Sequence, residues 1–167
     1  MDARPVLSLL ARVLQDCGLE AILIGNAAAA LQGAPVTTVD LDFLFRKTPR
    51  NIAKLKTAAK LLGAVLMRPF YPASDLFRVA RDSDGLQVDF LGTIHGIRSF
   101  EGLRRRAQRH DLDGAVLLVA DLADVVRSKR AAGRPRDRAV LEILELTLDE
   151  KKKSLEAAKA GRPKARK

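Results

Sequence analysis

The hydrophobic and polar positions of this chain follow two repeats, one helical and one extended. In several stretches the apolar residues recur every three or four positions, as they do in amphipathic helices. Glycine or proline stands at most ends of these stretches, where helices stop or start. The predicted helices cover Arg4–Cys17, 27–31, 49–62, 99–109, 121–132 and 135 to about 150.

Short apolar or alternating runs between these helices predict β-strands. The clearest pair is Leu76–Arg81 and Leu86–Leu91, which flank Asp-Ser-Asp-Gly, a sequence with the residues that hairpin turns need. Further strands are predicted at Ala21–Ile24, 36–45 and Ala115–Val119. This order of elements indicates an α/β (α+β) fold, with a mixed β-sheet flanked by helices and a C-terminal helical extension.

The positive charge is concentrated at the C-terminal end of the chain. The 167 residues carry a formal net charge of +10. Residues 151–167 hold eight basic residues and one acidic residue, whereas residues 1–150 hold 22 and 19. We therefore expect one domain over 1–150 and a basic, disordered tail over 151–167. Such a tail either adds non-specific affinity for phosphate groups or is simply a solvated end.

Composition excludes several classes of protein. The single cysteine, Cys17, excludes an internal disulfide framework and a cysteine-rich zinc site. No apolar run approaches the roughly 20 residues of a membrane span, and the N-terminal sequence has no signal-peptide pattern. We expect a soluble cytoplasmic protein that does not bind membranes.

Two carboxylates stand in a largely apolar predicted strand, VTTVDLDFLF. Asp40 and Asp42 occupy positions i and i+2, which share one face of a strand, while Leu41 and Phe43 point to the other face. Acidic side chains are rarely buried unless they are paired or bind a metal. A divalent cation such as Mg²⁺ would remove the repulsion between them, and Asp89 in LQVDFLG is a third carboxylate in a similar setting. The alternative is that all three lie at strand ends, in water.

Two segments of the chain resemble a known group of enzymes. ILIGNAAAALQGAPVTTVDLDFLF resembles the core signature of the DNA-polymerase-β-like nucleotidyltransferase superfamily, in which a strand, a glycine turn and a short helix precede a strand with Asp-x-Asp. ADLADVVRSKRAAGRPRDRAVLEIL is similar to the lysine-bearing helix, Gly-Arg turn and following helix of its minimal members. These members include the toxins of type IV toxin–antitoxin systems. The resemblance covers residues 19–146.

The resemblance implies an activity, its metal and its site. The activity is transfer of a nucleoside monophosphate from a nucleoside triphosphate to an acceptor hydroxyl, with release of pyrophosphate. The implied metal is Mg²⁺, two ions of it, or Mn²⁺ in its place. The implied metal and catalytic residues are Asp40, Asp42 and Asp89, with Lys129 as a further catalytic residue; the implied nucleotide-binding residues are Gly25, Asn26, Thr38, Lys129, Arg134 and Asp137.

The residues also leave room for plainer interpretations. A lysine such as Lys129 on a helix is usually solvated, and Asp137 in a first helical turn favours the helix dipole. His95 is isolated in the sequence and typical of a surface histidine. The basic face predicted for the helix over 99–109 either guides an acidic acceptor or is solvated; its members are Arg104, Arg105, Arg106 and Arg109.

Two departures from the pattern bear on activity. Asn26 stands where Ser or Gly is usual, and Pro-Val-Thr-Thr precedes the Asp pair where an arginine is often found. The implied acceptor is an RNA, such as the 3′ end of tRNA, or a protein side chain, with a cognate antitoxin as a further partner. The alternatives are a small-molecule acceptor, as in antibiotic-modifying relatives, and a catalytically weak protein that binds nucleotide or nucleic acid.

Overall fold

One mixed β-sheet organises the fold. The computed structural model describes residues 4–38, 40–68 and 75–160. Its strands are β1 (Ala21–Ile24), β2 (Leu41–Phe45), β3 (Val65–Met67), β4 (Leu76–Arg81), β5 (Leu86–Leu91), β6 (Gln108–Leu112) and β7 (Ala115–Val119). Its helices are α1 (Arg4–Cys17), α2 (Gly25–Leu31), α3 (Pro49–Leu61), α4 (Phe100–Arg106), α5 (Leu122–Ala132) and α6 (Pro135–Ala160). No helix within these ranges is long and apolar enough to cross a bilayer.

The strand order, β3-β4-β5-β2-β1-β7-β6, places β2 near the middle of the sheet. β2 pairs antiparallel with β1 and parallel with β5, and this parallel pairing sets Asp42 beside Asp89. β4 pairs antiparallel with β5, which sets Arg78 opposite Asp89. The mixed sheet flanked by helices confirms the predicted fold class.

Aromatic side chains fill the core under the centre of the sheet. Phe43, Phe45 and Phe90 are almost completely buried. The rings of Phe43 and Phe90 stack with centroids 5.2 Å apart, and Phe45 meets Phe90 edge to face. These contacts join β2 to β5 and so fix the relative position of the two strands that carry the carboxylates.

The strand predicted over 36–45 begins only at Leu41, so the expectation that Asp40 lies within it is wrong. The Thr38 hydroxyl donates to the Asp40 carbonyl over 2.7 Å and accepts from the Asp40 amide over 3.2 Å. These local bonds occupy backbone groups that a strand would use for pairing. Val39 lies outside the described residues. Asp40 is consequently an exposed residue just before the strand.

The helix predicted over 99–109 ends at Arg106, so Arg109 does not share its basic face. The chain instead enters β6, which pairs antiparallel with β7. The turn between them is Asp113-Gly114, both with positive φ, as a tight hairpin turn requires. The polar sequence QRHDL hides this edge strand from a search for apolar alternation.

The C-terminal helix runs further than predicted. α6 extends to Ala160, so the expectation of disorder is wrong for 151–160, while 161–167 lie outside the described residues. Lys, Leu, Glu and Ala dominate this segment and favour helix, and extending an existing helix needs no new nucleation. Lys151 also donates to the side chain of Gln32 over 2.8 Å. The division into a domain over 1–150 and a tail stays a prediction.

Candidate active site

A cleft of about 510 Å³ opens where the first residues of β2 face α5, the start of α6 and the β4–β5 hairpin. All nine site residues predicted from the sequence line it. They are Gly25, Asn26, Thr38, Asp40, Asp42, Asp89, Lys129, Arg134 and Asp137. The structure therefore brings the two resembling segments together on one surface; the roles assigned to these residues stay predictions.

Gly25 brings the backbone close to the Asp42 carboxylate. β1 ends at Ile24, which pairs with Asp42, so Gly25 follows directly at the level of that side chain. Gly25 has φ of +69°, a left-handed conformation that glycine adopts readily. A Cβ atom at this position would lie 3.2 Å from Asp42 Oδ2. Glycine is thus required both by the turn and by the carboxylate next to it.

Asp42 is the most perturbed carboxyl group of the cleft. Burial raises its pKa from the ordinary 3.8 to about 6, and the neighbouring charges of Asp89 and Asp40 add to this effect. Arg136 and Lys129 act in the opposite direction. The side chain is half-buried, so water relieves the repulsion only in part. These surroundings favour protonation of the Asp42 carboxyl group, or a cation beside the ionised carboxylate, over the ionised carboxylate alone.

Asp89 is held by an arginine rather than left open. Arg78 Nε donates to Asp89 Oδ1 over 2.7 Å, and Arg78 Nη2 donates to Oδ2 over 2.8 Å. The Asp89 side chain is 14% exposed. A two-bond fork of this kind fixes the plane of a carboxylate as well as its position.

Asp40 and Asp42 carry oxygen ligands of the kind that a divalent cation prefers, and a cation site on them is a prediction. Mg²⁺ is commonly held by one or two carboxylates together with substrate phosphate oxygens, and the raised pKa of Asp42 shows a carboxyl group that a cation would stabilise. Within 4–38, 40–68 and 75–160 there is no group of three or more acidic, histidine or cysteine side chains placed to hold a metal. The predicted three-carboxylate site, with Asp89 as its third ligand, stays a prediction.

The opposite wall of the cleft carries a lysine in a fixed position. Lys129 on α5 donates to Asp137 Oδ1 on α6 over 3.2 Å. Arg134 Nε lies 3.4 Å from Asp137 Oδ2. Lys129 is only 12% exposed, so the interpretation of it as a solvated surface lysine is wrong. Asp137 lies in the first turn of α6, which agrees with the helix-dipole interpretation, and it also positions Lys129.

Three basic side chains that line the cleft were not predicted as site residues from the sequence: Arg78, His95 and Arg136. A signal for Arg78 was present, because the four-residue turn of the predicted hairpin aligns Arg81 with Leu86 and hence Arg78 with Asp89. No arginine precedes the Asp pair in the sequence, but Arg78 on β4 and Arg136 on α6 bring positive charge to the same cleft. His95 is exposed at the rim and has no neighbouring motif.

The side-chain oxygen of Asn26 is a hydrogen-bond acceptor to which no described residue donates. Its Oδ1 atom is buried and has no hydrogen-bond partner among the described residues. Unpaired buried polar atoms are uncommon, because each one loses its bonds to water without replacement. Asn26 also lines the cleft beside Gly25.

The comparisons with known proteins rest on structure. No protein-family model and no curated protein matches the sequence. An antigenic nucleotidyltransferase-like protein from Paracoccidioides brasiliensis superposes with a TM-score of 0.54 at 17% identity, over 87% of this chain and 75% of that one. A candidate nucleotidyltransferase from Thermotoga maritima gives 0.56 at 19% identity, over 95% and 92%.

A third similar structure is ANT(2″)-Ia in complex with adenylyl-2″-tobramycin. It superposes with a TM-score of 0.61 at 14% identity, over 95% of this chain and 97% of that one. At sequence identities this low, the superpositions show a shared fold and nothing further. The chain has the nucleotidyltransferase fold, and its cleft of carboxylates and cations lies within that fold.

Proposed function

We propose that this chain is a metal-dependent nucleotidyltransferase that moves a nucleoside monophosphate from a nucleoside triphosphate to a hydroxyl group of an RNA, such as the 3′ end of tRNA. The observation that carries the proposal is the cleft, in which Asp40, Asp42 and Asp89 face a wall of cationic side chains. The fold shared with nucleotidyltransferase-like proteins supports it.

The cationic wall suits a triphosphate. Lys129, Arg134 and Arg136 come from the α5–α6 junction, and all three line the cleft. Lys129 keeps its position through Asp137, so little order of this side chain has to be gained when phosphate binds. Because Gly25 has no side chain, a nucleotide can approach the end of β1 closely.

Asp40 and Asp42 would hold Mg²⁺, or Mn²⁺ in its place. When bound, the ion would supply Lewis-acid stabilisation of the charge that develops on the phosphoryl and pyrophosphate oxygens. A second ion between Asp42 and Asp89 stays a prediction from the resemblance. Burial, together with the charges of Asp89 and Asp40, disfavours the ionised form of Asp42 and raises its pKa, and a bound cation would stabilise that ionised form.

In the transfer, the acceptor oxygen bonds to the α-phosphorus as the bond from that phosphorus to the bridging oxygen of pyrophosphate breaks. We assign to Asp89 the role of taking the proton from the acceptor hydroxyl. Each of its oxygens accepts one bond from Arg78 and keeps a second lone pair for the hydroxyl. Arg78 thus orients the Asp89 carboxylate during the reaction.

The test is transfer of label from each of the four α-³²P nucleoside triphosphates, with Mg²⁺, into total RNA and total protein. Wild type is compared with Asp42→Asn, and with Asp82→Asn as a matched control on the exposed hairpin turn. We expect label in RNA that Asp42→Asn abolishes and Asp82→Asn leaves intact. Label found in protein and not in RNA would identify the acceptor as a protein. Transfer that survives in Asp42→Asn would refute the proposed role of the carboxylates.

The resemblance to type IV toxins supports a toxin role in the cytoplasm, with a cognate antitoxin as the partner. The expected result is growth arrest on induction of the wild type but not of Asp42→Asn. Co-expression of the product of the adjacent gene should relieve it. Arrest that is equal in both would separate toxicity from nucleotide transfer.

A small-molecule acceptor is the second candidate. It is favoured by the superposition on ANT(2″)-Ia, whose complex contains an adenylylated tobramycin, over nearly the full length of both chains. The label-transfer assay with tobramycin as the added acceptor tests it directly. Nucleotide binding without any transfer would instead favour the catalytically weak binding protein.

A further inference from the structure

A second cleft, of about 500 Å³, is lined by three arginines and by no acidic side chain among the residues that form its wall. We call it the arginine cleft and define it by Arg98, Ser99, Arg106 and Arg127. Its composition is the reverse of the candidate active site, where carboxylates line one wall. Of the basic face predicted from the sequence, Arg106 alone lines it; Arg104 pairs with Glu20.

Two of the arginines are fixed by a buried carboxylate. Asp124 on α5 is 2% exposed and accepts from Arg106 Nε and Nη2 over 2.8 and 2.9 Å. Arg127 Nη1 donates to the same carboxylate over 2.8 Å. Both arginine side chains remain about half exposed, so their other N–H groups face solvent. The pair is thus a set of pre-oriented donors that suits a phosphate group.

Arg98 adds a charge that the fold does not use. It is exposed, and it has no ion pair or hydrogen bond within the ranges that the structure describes. Three arginines against one buried carboxylate leave the cleft with an excess of two positive charges. Structural pairing explains Arg106 and Arg127, but it does not explain why Arg98 stands beside them.

One loop forms a wall of both clefts. Ile94 and His95 line the candidate active site, and the next residues, from Gly96 to Arg98, line the arginine cleft. Gly96 has φ of +72°, and a Cβ atom there would lie 2.9 Å from the Arg127 carbonyl oxygen. The loop is therefore packed directly on α5. Because successive Cα atoms are about 3.8 Å apart, the two clefts lie within a few residues of each other along this wall.

We propose that the arginine cleft binds the phosphodiester backbone of a single-stranded polynucleotide acceptor and directs its terminal hydroxyl into the neighbouring active-site cleft. The inference deepens the proposed function and rests on it. A polynucleotide supplies the regularly spaced phosphates that adjacent arginines recognise without reading sequence. RNA and DNA share this backbone chemistry, so the experiment compares the two.

The test is fluorescence anisotropy of the full chain with fluorescein-labelled single-stranded RNA and DNA 20-mers of one sequence, over a series of KCl concentrations. For single strands the slope of log K against log salt is about −0.7 per phosphate contacted, so we expect Arg98→Ala to reduce it by about 0.7. Arg105→Ala is the matched control, since Arg105 is an exposed arginine on α4 outside the cleft. It removes the same charge and should leave the slope unchanged.

A fluorescent nucleoside triphosphate, titrated into the same variants, separates the two hypotheses. Binding that Arg98→Ala leaves intact, together with its loss of polynucleotide affinity, supports the inference, whichever of RNA or DNA binds more tightly. If Arg98→Ala and Arg105→Ala lose polynucleotide affinity equally, the inference is overturned, because binding then depends on the overall positive charge and not on the arginine cleft. Absence of polynucleotide binding, with nucleotide still bound, overturns it and leaves the proposed transfer with a small acceptor. Failure to bind nucleotide would overturn the proposed function itself.

Discussion

Replacing Asp42 by asparagine removes the carboxyl group whose ionised form is the most disfavoured in the candidate active site. Burial, reinforced by Asp89 and Asp40, raises the pKa of Asp42 from 3.8 to about 6 in the folded protein. The folded state therefore binds more protons than the unfolded state between about pH 4 and pH 6. Its free energy of unfolding consequently falls as the pH rises through that range. The asparagine variant lacks this dependence of the free energy of unfolding on pH.

The size of the effect follows from the same shift. A difference of about two pKa units corresponds to about 3 kcal/mol at pH 8, where Asp42 is ionised in both states. At pH 5 the folded protein holds most of the proton, and the penalty is about 1 kcal/mol smaller. We expect Asp42→Asn to be more stable than the wild type at pH 8, with a gain that shrinks at pH 5.

Urea unfolding at pH 5 and pH 8, in EDTA, measures this difference. Asp82→Asn is the control, because Asp82 lies on the exposed hairpin turn. Its stability should follow that of the wild type at both values of pH. A loss of stability in Asp42→Asn at both values, or a gain that does not depend on pH, would refute the electrostatic reasoning. With Mg²⁺ in place of EDTA, the wild type should gain stability and Asp42→Asn should not.

Three other substitutions test the cleft. Gly25→Ala should cost about 1–2 kcal/mol of stability in urea unfolding, more than Gly63→Ala, because both glycines have positive φ but only the first has a carboxylate beside it. Arg78→Gln should cost about 1–3 kcal/mol, because it leaves a partly buried carboxylate without its fork, and it should cost more than Arg81→Gln, which leaves the more exposed Asp84 carboxylate unpaired. Lys129→Met should weaken triphosphate binding at least tenfold in a nucleotide titration without loss of helix by circular dichroism; unchanged affinity would assign the lysine a structural role only.

Local patterns predicted the elements whose sequence agrees with their final environment. The β4–β5 hairpin has alternating apolar positions and a turn with suitable residues, so its bounds and register follow from the sequence. The two halves of the Asp-bearing segment differ. Leu41–Phe45 packs in the core, whereas Thr38 and Asp40 bond to each other's backbone, a competition that β-propensity does not reveal.

The edges of the fold were harder to predict because tertiary contacts decide them. β6 is a polar edge strand that exists through its pairing with β7. Within α6, Lys151 bonds to the side chain of Gln32, more than a hundred positions earlier in the chain. Residue type and strand position singled out Asp40, Asp42 and Asp89, and the family resemblance implied the other candidate site residues, but Arg78 became visible only through the register between strands. Residues that act through a cross-strand partner carry little signal in a linear pattern.

The charges around the site are separated in a way that suits a reaction between two polyanions. Under the proposed function, the carboxylates of the active-site cleft would need a cation before a triphosphate could approach them, and Lys129 and Arg134, which line the same cleft, would bind its phosphates. The acceptor would be repelled by the same carboxylates. The arginine cleft, one loop away, offers its backbone a favourable position that does not compete for the cations around the nucleotide. Two adjacent clefts of different composition can therefore bind donor and acceptor together, which a single basic surface would not distinguish.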